Sequence, residues 1–135
     1  MKAMGIDFGL ARIGIALSDE TKFLASPFIT YKRKGIEQDL NFIINLIKEK
    51  NVDQIVCGLP MNMQGEEQAI AQHTREFMAQ LQKLITVDID FIDERLSSVM
   101  AEELLKETER DWKKRKEKLD AVAASILLQD YLDAN

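Results

Sequence analysis

Cysteine and histidine are almost missing from this 135-residue chain, which has one of each, Cys57 and His73. A single cysteine excludes an internal disulfide, and the pair together cannot build a zinc site of Cys and His ligands. A Ser-His-Asp hydrolase would have to use His73, which sits in a helical pattern far from any serine elbow. Proline is equally scarce, with only Pro27 and Pro60, and no Pro/Gly-rich linker divides the chain. No apolar run approaches the roughly 20 residues that cross a bilayer, so no membrane partner is expected. The opening MKAMGIDFGLARIG is broken by charges and glycines and has no signal-peptide core, which predicts a cytoplasmic protein.

An excess of basic charge is also lacking. Lys and Arg number 18 against 23 Asp and Glu, for a net charge of −5. The pI near 5.0 excludes a generally basic nucleic-acid coat. The cations are uneven, however. Lys32-Arg33-Lys34 and Lys113-Lys114-Arg115-Lys116 form two clusters. Either cluster alone reads as a solvated loop. Hydrophobic residues make up 46% and charged residues 30%, the balance of a soluble globular chain of one domain over residues 1–135.

The order of elements is informative. Residues 2–8 read as a buried strand and 12–18 as a second, antiparallel to it through a tight turn. Residues 23–32 read as a third strand, with Pro27 marking an edge or a bulge. Apolar spacing predicts a helix from Ile36 to Lys50, stopped by Asn51. The unalternated run 54–59 suits a central strand covered on both faces. A helix over 67–84 and a strand over 88–93 follow. Ser97 or Ser98 can cap a third helix. A polar stretch, Glu107 to Glu117, then separates it from a last helix carrying Leu119 to Tyr131. This order predicts an α/β fold. Its mixed five-stranded sheet joins an antiparallel three-stranded meander to parallel strands, with helices on both faces.

Three acids sit awkwardly in that scheme. Asp7 lies in the most apolar strand, between Ile6 and Phe8, where an isolated carboxylate is costly. Glu94 follows the strand that ends at Asp93. Asp120 adjoins the apolar stripe Leu119, Val122 and Ala123. Each has a plainer reading: a loop amide for Asp7, a pair with Arg95 for Glu94, the positive end of a helix dipole for Asp120. Taken together they can meet at one sheet edge. Three carboxylates there would repel unless a hard cation, Mg²⁺ or Mn²⁺, neutralised them. Ions so held serve phosphodiester cleavage without a histidine or serine nucleophile. Gly9 permits a tight turn and a close approach to phosphate, and Arg12 could clamp that phosphate. A plain hairpin with a surface arginine accounts for the same residues. Cys57 and the methionines read as packing, and His73 as an exposed helix residue. Trp112 could stack on an unpaired base, although anchoring its loop on the core is the preferred reading.

Four blocks in order, MGIDFGLARIGIALSD, IVCGLPMNMQGEE, FIDERLSSVMAEELL and KLDAVAASILLQDYLD, resemble the YqgF/RuvX family of Holliday junction resolvase-like proteins. The resemblance runs from about Met4 to Leu132. It implies a ribonuclease H-like fold and an acidic triad at Asp7, Glu94 and Asp120, both catalytic and metal-binding. It also implies metal-dependent nuclease action on the precursor of 16S rRNA, with ribosome association. The older family assignment is resolution of branched DNA. Gly9, Arg12, Gly58, Pro60, Asn62, Gly65 and Arg95 match further family positions. Phe8, Leu10 and Ala11 stand where Val, Thr and Lys are common in the family.

The expected activity is therefore a nuclease with nucleic acid as its partner, acting as a monomer or homodimer. Asp7, Glu94 and Asp120 hold the ions. Gly9, Arg12, Asn62, Arg95, Lys113, Lys114 and Arg115 contact substrate, with help from the cluster at 32–34. Two rivals remain at this point: an actin-type nucleotide-binding domain, and a non-catalytic RNA-binding or transcription factor.

Overall fold

The computed structural model describes residues 1–62, 64–67, 69–94 and 97–134, the side chains of 97 and 98 excepted. The strands are β1 (Lys2–Phe8), β2 (Arg12–Ser18), β3 (Ala25–Lys32), β4 (Val52–Leu59) and β5 (Ile89–Asp93). The helices are α1 (Ile36–Glu49), α2 (Ala69–Leu84), α3 (Ser97–Thr108) and α4 (Trp112–Ala134). One sheet orders them β3-β2-β1-β4-β5. The β1–β2–β3 meander is antiparallel, while β4 pairs with β1, and β5 with β4, in parallel.

Alternation along β1 divides the two faces. Met4, Ile6 and Phe8 point to one side, where they pack with Ile43 and Ile47 of α1 and Phe77, Met78 and Leu81 of α2. Ala3 points to the other side, where it packs with Ala16, Val56 and, from α4, Ala124, Leu127 and Leu128. α3 rests on α4 through Ala101, Leu105, Val122 and Ala123, outside the sheet. Pro27 lies on the edge strand β3 beside a register shift, as a missing N–H requires. Asn51 takes a φ of 56°, which stops α1.

An arginine holds the meander to α1. Arg33 donates to Asp39 at 2.8 Å, lies 4.7 Å from the Phe8 ring centre, and donates to the Gly9 and Leu10 carbonyls. Asp39 is fully buried. Burial opposes its ionisation, but the Lys34 N–H and Arg33 outweigh that cost and hold its pKa below the usual value. Arg33 is thus committed to the fold and does not belong to a free basic cluster.

Two further expectations change. The polar stretch expected to separate the last helices narrows to the residues between Thr108 and Trp112. Asp111 caps α4 by accepting the Lys113 N–H at 2.9 Å, so Trp112 and the lysines after it are helical. Asp120 therefore lies more than two turns inside α4, beyond the reach of its N-terminal dipole. Ser97 opens α3 as its first helical residue.

The face under α4 is floored by glycine. A Cβ on Gly5 would come within 2.8 Å of the Ala124 carbonyl oxygen, and one on Gly14 would overlap the carbonyl of Asp120. Just beside this crossing the Ala121 N–H donates to Thr30 Oγ1 at 3.2 Å, and Thr30 pairs with Gly14 across the β2–β3 ladder. Gly14→Ala should therefore cost about 3 kcal/mol, the upper range for overpacking, because backbone rather than a flexible side chain must move. A urea midpoint unchanged from wild type would show that α4 does not bear on the sheet at this position.

Candidate metal and nucleic-acid site

Sheet register decides which acids meet. Asp7 stands opposite Gly14 on β2, and the parallel register that pairs Ile6 with Cys57 brings Asp7 abreast of Gly58 on β4. Gly58 pairs with Ile92 and Leu59 with Asp93, so Glu94 leaves β5 beside the same edge. The Glu94 N–H donates to the Leu59 carbonyl at 3.2 Å, and its carboxyl folds back over Gly58, where a Cβ would overlap it. Asp7 and Glu94 share a hydrogen bond there. Asp120 reaches the same region from above, because Gly14 admits α4.

The two paired acids titrate as burial and like charge dictate. Asp7 is pushed up from 3.8 to about 6, chiefly by burial and further by the charge of Asp120; its hydrogen bond with Glu94 works the other way. Glu94 is pushed up from 4.5 to about 9 by burial, then by Asp7 as charge and hydrogen-bond partner, with Asp93 and Asp120 adding to it. Glu94 therefore keeps the proton near neutral pH and donates it to the Asp7 carboxylate. Cys57, fully buried behind the pair, has its thiol pushed well up by burial and by both acids, which leaves it inert.

Asp120 has a different partner. Its Oδ2 lies 2.8 Å from Arg12 Nε, an ion pair between two partly exposed side chains. Arg12 was expected to face a phosphate; here it faces the third acid. Among the described residues no three acidic, His or Cys side chains form a ready-made metal cage. The donor chemistry nonetheless fits a hard cation. One carboxyl from β1 and one from the residue that follows β5 are crowded into one half-buried place, with a third held back by an exposed guanidinium.

The other expected contacts are divided. Gly9 closes the β1–β2 turn, its N–H donating to the Arg12 carbonyl at 2.9 Å, and a Cβ on Gly9 would come within 2.7 Å of that oxygen. Asn62 Oδ1 accepts the N–H groups of Gln64 and Glu66, both at 3.0 Å, so its carboxamide shapes its own loop. Arg115 donates to the carbonyls of Glu109 and Arg110, closing the α3–α4 turn. Lys113 and Lys114 are exposed on α4. Arg95 lies outside the described residues. Trp112 does not anchor on the core: it is 61% exposed. Arg33, which holds the turn carbonyls at Gly9 and Leu10, was taken in the sequence for a surface cation. Its i, i+6 spacing from Asp39 carries no local signal.

The raised acids set a pH dependence. Between about pH 4 and 9 the folded chain holds protons that the unfolded chain has released, so stability falls as pH rises through that window. In a chelating buffer the melting temperature should decline steadily from pH 5 to 9. Asp7→Asn should melt higher than wild type at pH 8 and show a shallower decline. A wild-type melting temperature that rises across this range would contradict the crowding of Asp7 and Glu94.

Comparison with known proteins bears on the family and the fold. The model of a family described as "RuvX: Holliday junction resolvase" matches residues 1–134. A protein of Syntrophomonas wolfei named "Putative pre-16S rRNA nuclease" is 44% identical over 133 residues, covering 98% of this chain and 94% of its own. One of the same name from Halothermothrix orenii is also 44% identical, covering 98% and 95%. Among solved structures, the fowlpox virus resolvase bound to Holliday junction DNA superposes with a TM-score of 0.62 at 11% identity, covering 99% of this chain and 98% of its own. Thermus thermophilus RuvC with a Holliday junction substrate gives 0.60 at 11%, covering 99% and 94%. At such identities the likeness speaks for the fold, which is ribonuclease H-like. With the family's sequence pattern carried along nearly its whole length on that fold, this chain belongs to the RuvX family.

Proposed function

We propose that this protein is a divalent-metal-dependent nuclease that trims the 5′ end of precursor 16S rRNA during ribosome assembly. Residues 1–135 act as one catalytic domain. The observation that carries the reading is the meeting of Asp7 and Glu94 over Gly58, with Asp120 delivered above Gly14. The names of its relatives support an RNA substrate.

Asp7, Glu94 and Asp120 would hold the cation, Mg²⁺ or Mn²⁺. Once bound, it would neutralise their mutual repulsion and promote attack by water on a backbone phosphate. Asp7 is the stronger acid of the pair and presents its oxygens as carboxylate. Glu94 retains its proton until charge arrives to offset its burial. Arg12 is exposed enough to exchange Asp120 for a phosphate oxygen. That exchange positions the strand and frees the third carboxylate in one movement. Gly9 keeps the turn beneath them tight, and Lys113 and Lys114 add positive charge on the approach. Arg95 completes the substrate contacts of this proposal.

Cleavage of precursor 16S rRNA and of a four-way DNA junction, each with Mg²⁺ or Mn²⁺, tests the reading. The wild type should cut the RNA, and chelation should stop it. Asp7→Asn should lose at least about 100-fold in rate, since removing a ligand exceeds the loss from disturbing a ligand's support. Full activity in that variant would overturn the site, while cutting of the junction alone would favour a branched-DNA resolvase.

A further inference from the structure

Trp112 is the chain's one tryptophan and the most costly kind of side chain to leave in water. It is 61% exposed, in the first turn of α4. It lines a groove of about 320 Å³ together with Arg12, Lys113, Lys116 and Glu117. Arg12, which lines this groove, is the residue paired with Asp120. The groove therefore runs on from the acidic site. Three cations face a single acid within it, on a protein whose net charge is −5. Lys113 Nζ lies 5.9 Å from the Trp112 ring centre, so a cation already flanks the ring. The α4 N-terminus does not explain the cluster, because Asp111 already caps it.

We propose that Trp112 is a stacking platform for an unpaired base of the substrate strand, with Lys113 and Lys116 taking the neighbouring phosphates. This rests on the nuclease reading and adds a substrate requirement to it. An exposed aromatic face offers affinity only to a base whose own face is open, and within a duplex those faces are covered. From Trp112 to Asp120 the helix rises about 12 Å, a span of a few nucleotides. The enzyme thus selects nucleic acid that is single-stranded close to the bond it cuts. Arg12, shared between groove and acids, sets the register between stacked base and reacting phosphate.

The lone tryptophan makes the test direct, because all tryptophan fluorescence comes from Trp112. With divalent ions chelated, so that nothing is cut, a short single-stranded oligoadenylate should quench that fluorescence saturably. The same strand in a duplex, or carrying abasic sugars in place of bases, should quench little. In binding measured on a labelled strand, Trp112→Ala should weaken oligoadenylate affinity about 5- to 100-fold, as loss of one stacked base does. Trp112→Phe should recover most of it, with melting temperatures matching wild type. The absence of quenching, or an equal loss of affinity for the single strand and the duplex, would overturn the platform. These readouts need no catalysis. Quenching without cleavage by the wild type would sink the nuclease reading alone, and cleavage without quenching would sink the platform alone.

Discussion

The distance between α4 and the sheet governs this molecule. Helices usually stand off a sheet by the thickness of two layers of side chains, but at Gly5 and Gly14 the sheet puts no side chain under α4, so the helix backbone comes down onto the strands at those two positions. That contact lowers Asp120 toward Asp7, which neighbours Gly14 on the adjacent strand. Gly58 plays the same part for Glu94, giving its carboxyl the space a side chain would fill. The glycines of the opening segment thus shape the site chiefly by admitting the helix, and Gly58 by admitting the carboxyl.

Crowding acids in this way works against stability. Asp7 and Glu94 are both harder to ionise in the folded chain than outside it. The scaffold offsets the strain on the far side of the sheet. Arg33 and Asp39 form a shielded ion pair against Phe8 and Phe77, and the same guanidinium grips the turn that follows Asp7. At the other end of α4, Gln54 donates to the Tyr131 hydroxyl, which in turn donates to Asp90, tying the helix to β4 and β5. Held at both ends, α4 can present Asp120 in a fixed place.

Charge is distributed to suit that arrangement. The chain is acidic overall, yet Arg12, Lys113 and Lys116 gather around one exposed tryptophan beside the acids. Attraction for a polyanion is then local, directed to the place where a backbone could meet the carboxyls. The Arg12–Asp120 pair links the two regions, because either member can exchange its partner for an incoming charge of the right sign.

The strands and most helices were legible because burial imposes period 2 or 3.6 on apolar residues, as in Met4, Ile6 and Phe8 or Leu40, Ile43 and Ile47. Asp7 was legible as a site residue because a carboxylate among such neighbours demands a reason. The start of α4 was not, since Trp112 to Glu117 has no apolar stripe and the helix depends on the Asp111 cap and its contact with α3. Nor were the fates of the cations. Arg33, Arg115 and Lys113 look alike in a sequence, yet one is buried on Asp39, one closes a turn and one stands in solvent. What a charged side chain does is set by what lies within about 4 Å of it, and residues far apart along the chain supply those neighbours. Local pattern by itself determined the elements, their order and the three conspicuous acids. Only the register of the sheet and the seating of α4 decided that two of those acids share a proton while the third holds Arg12.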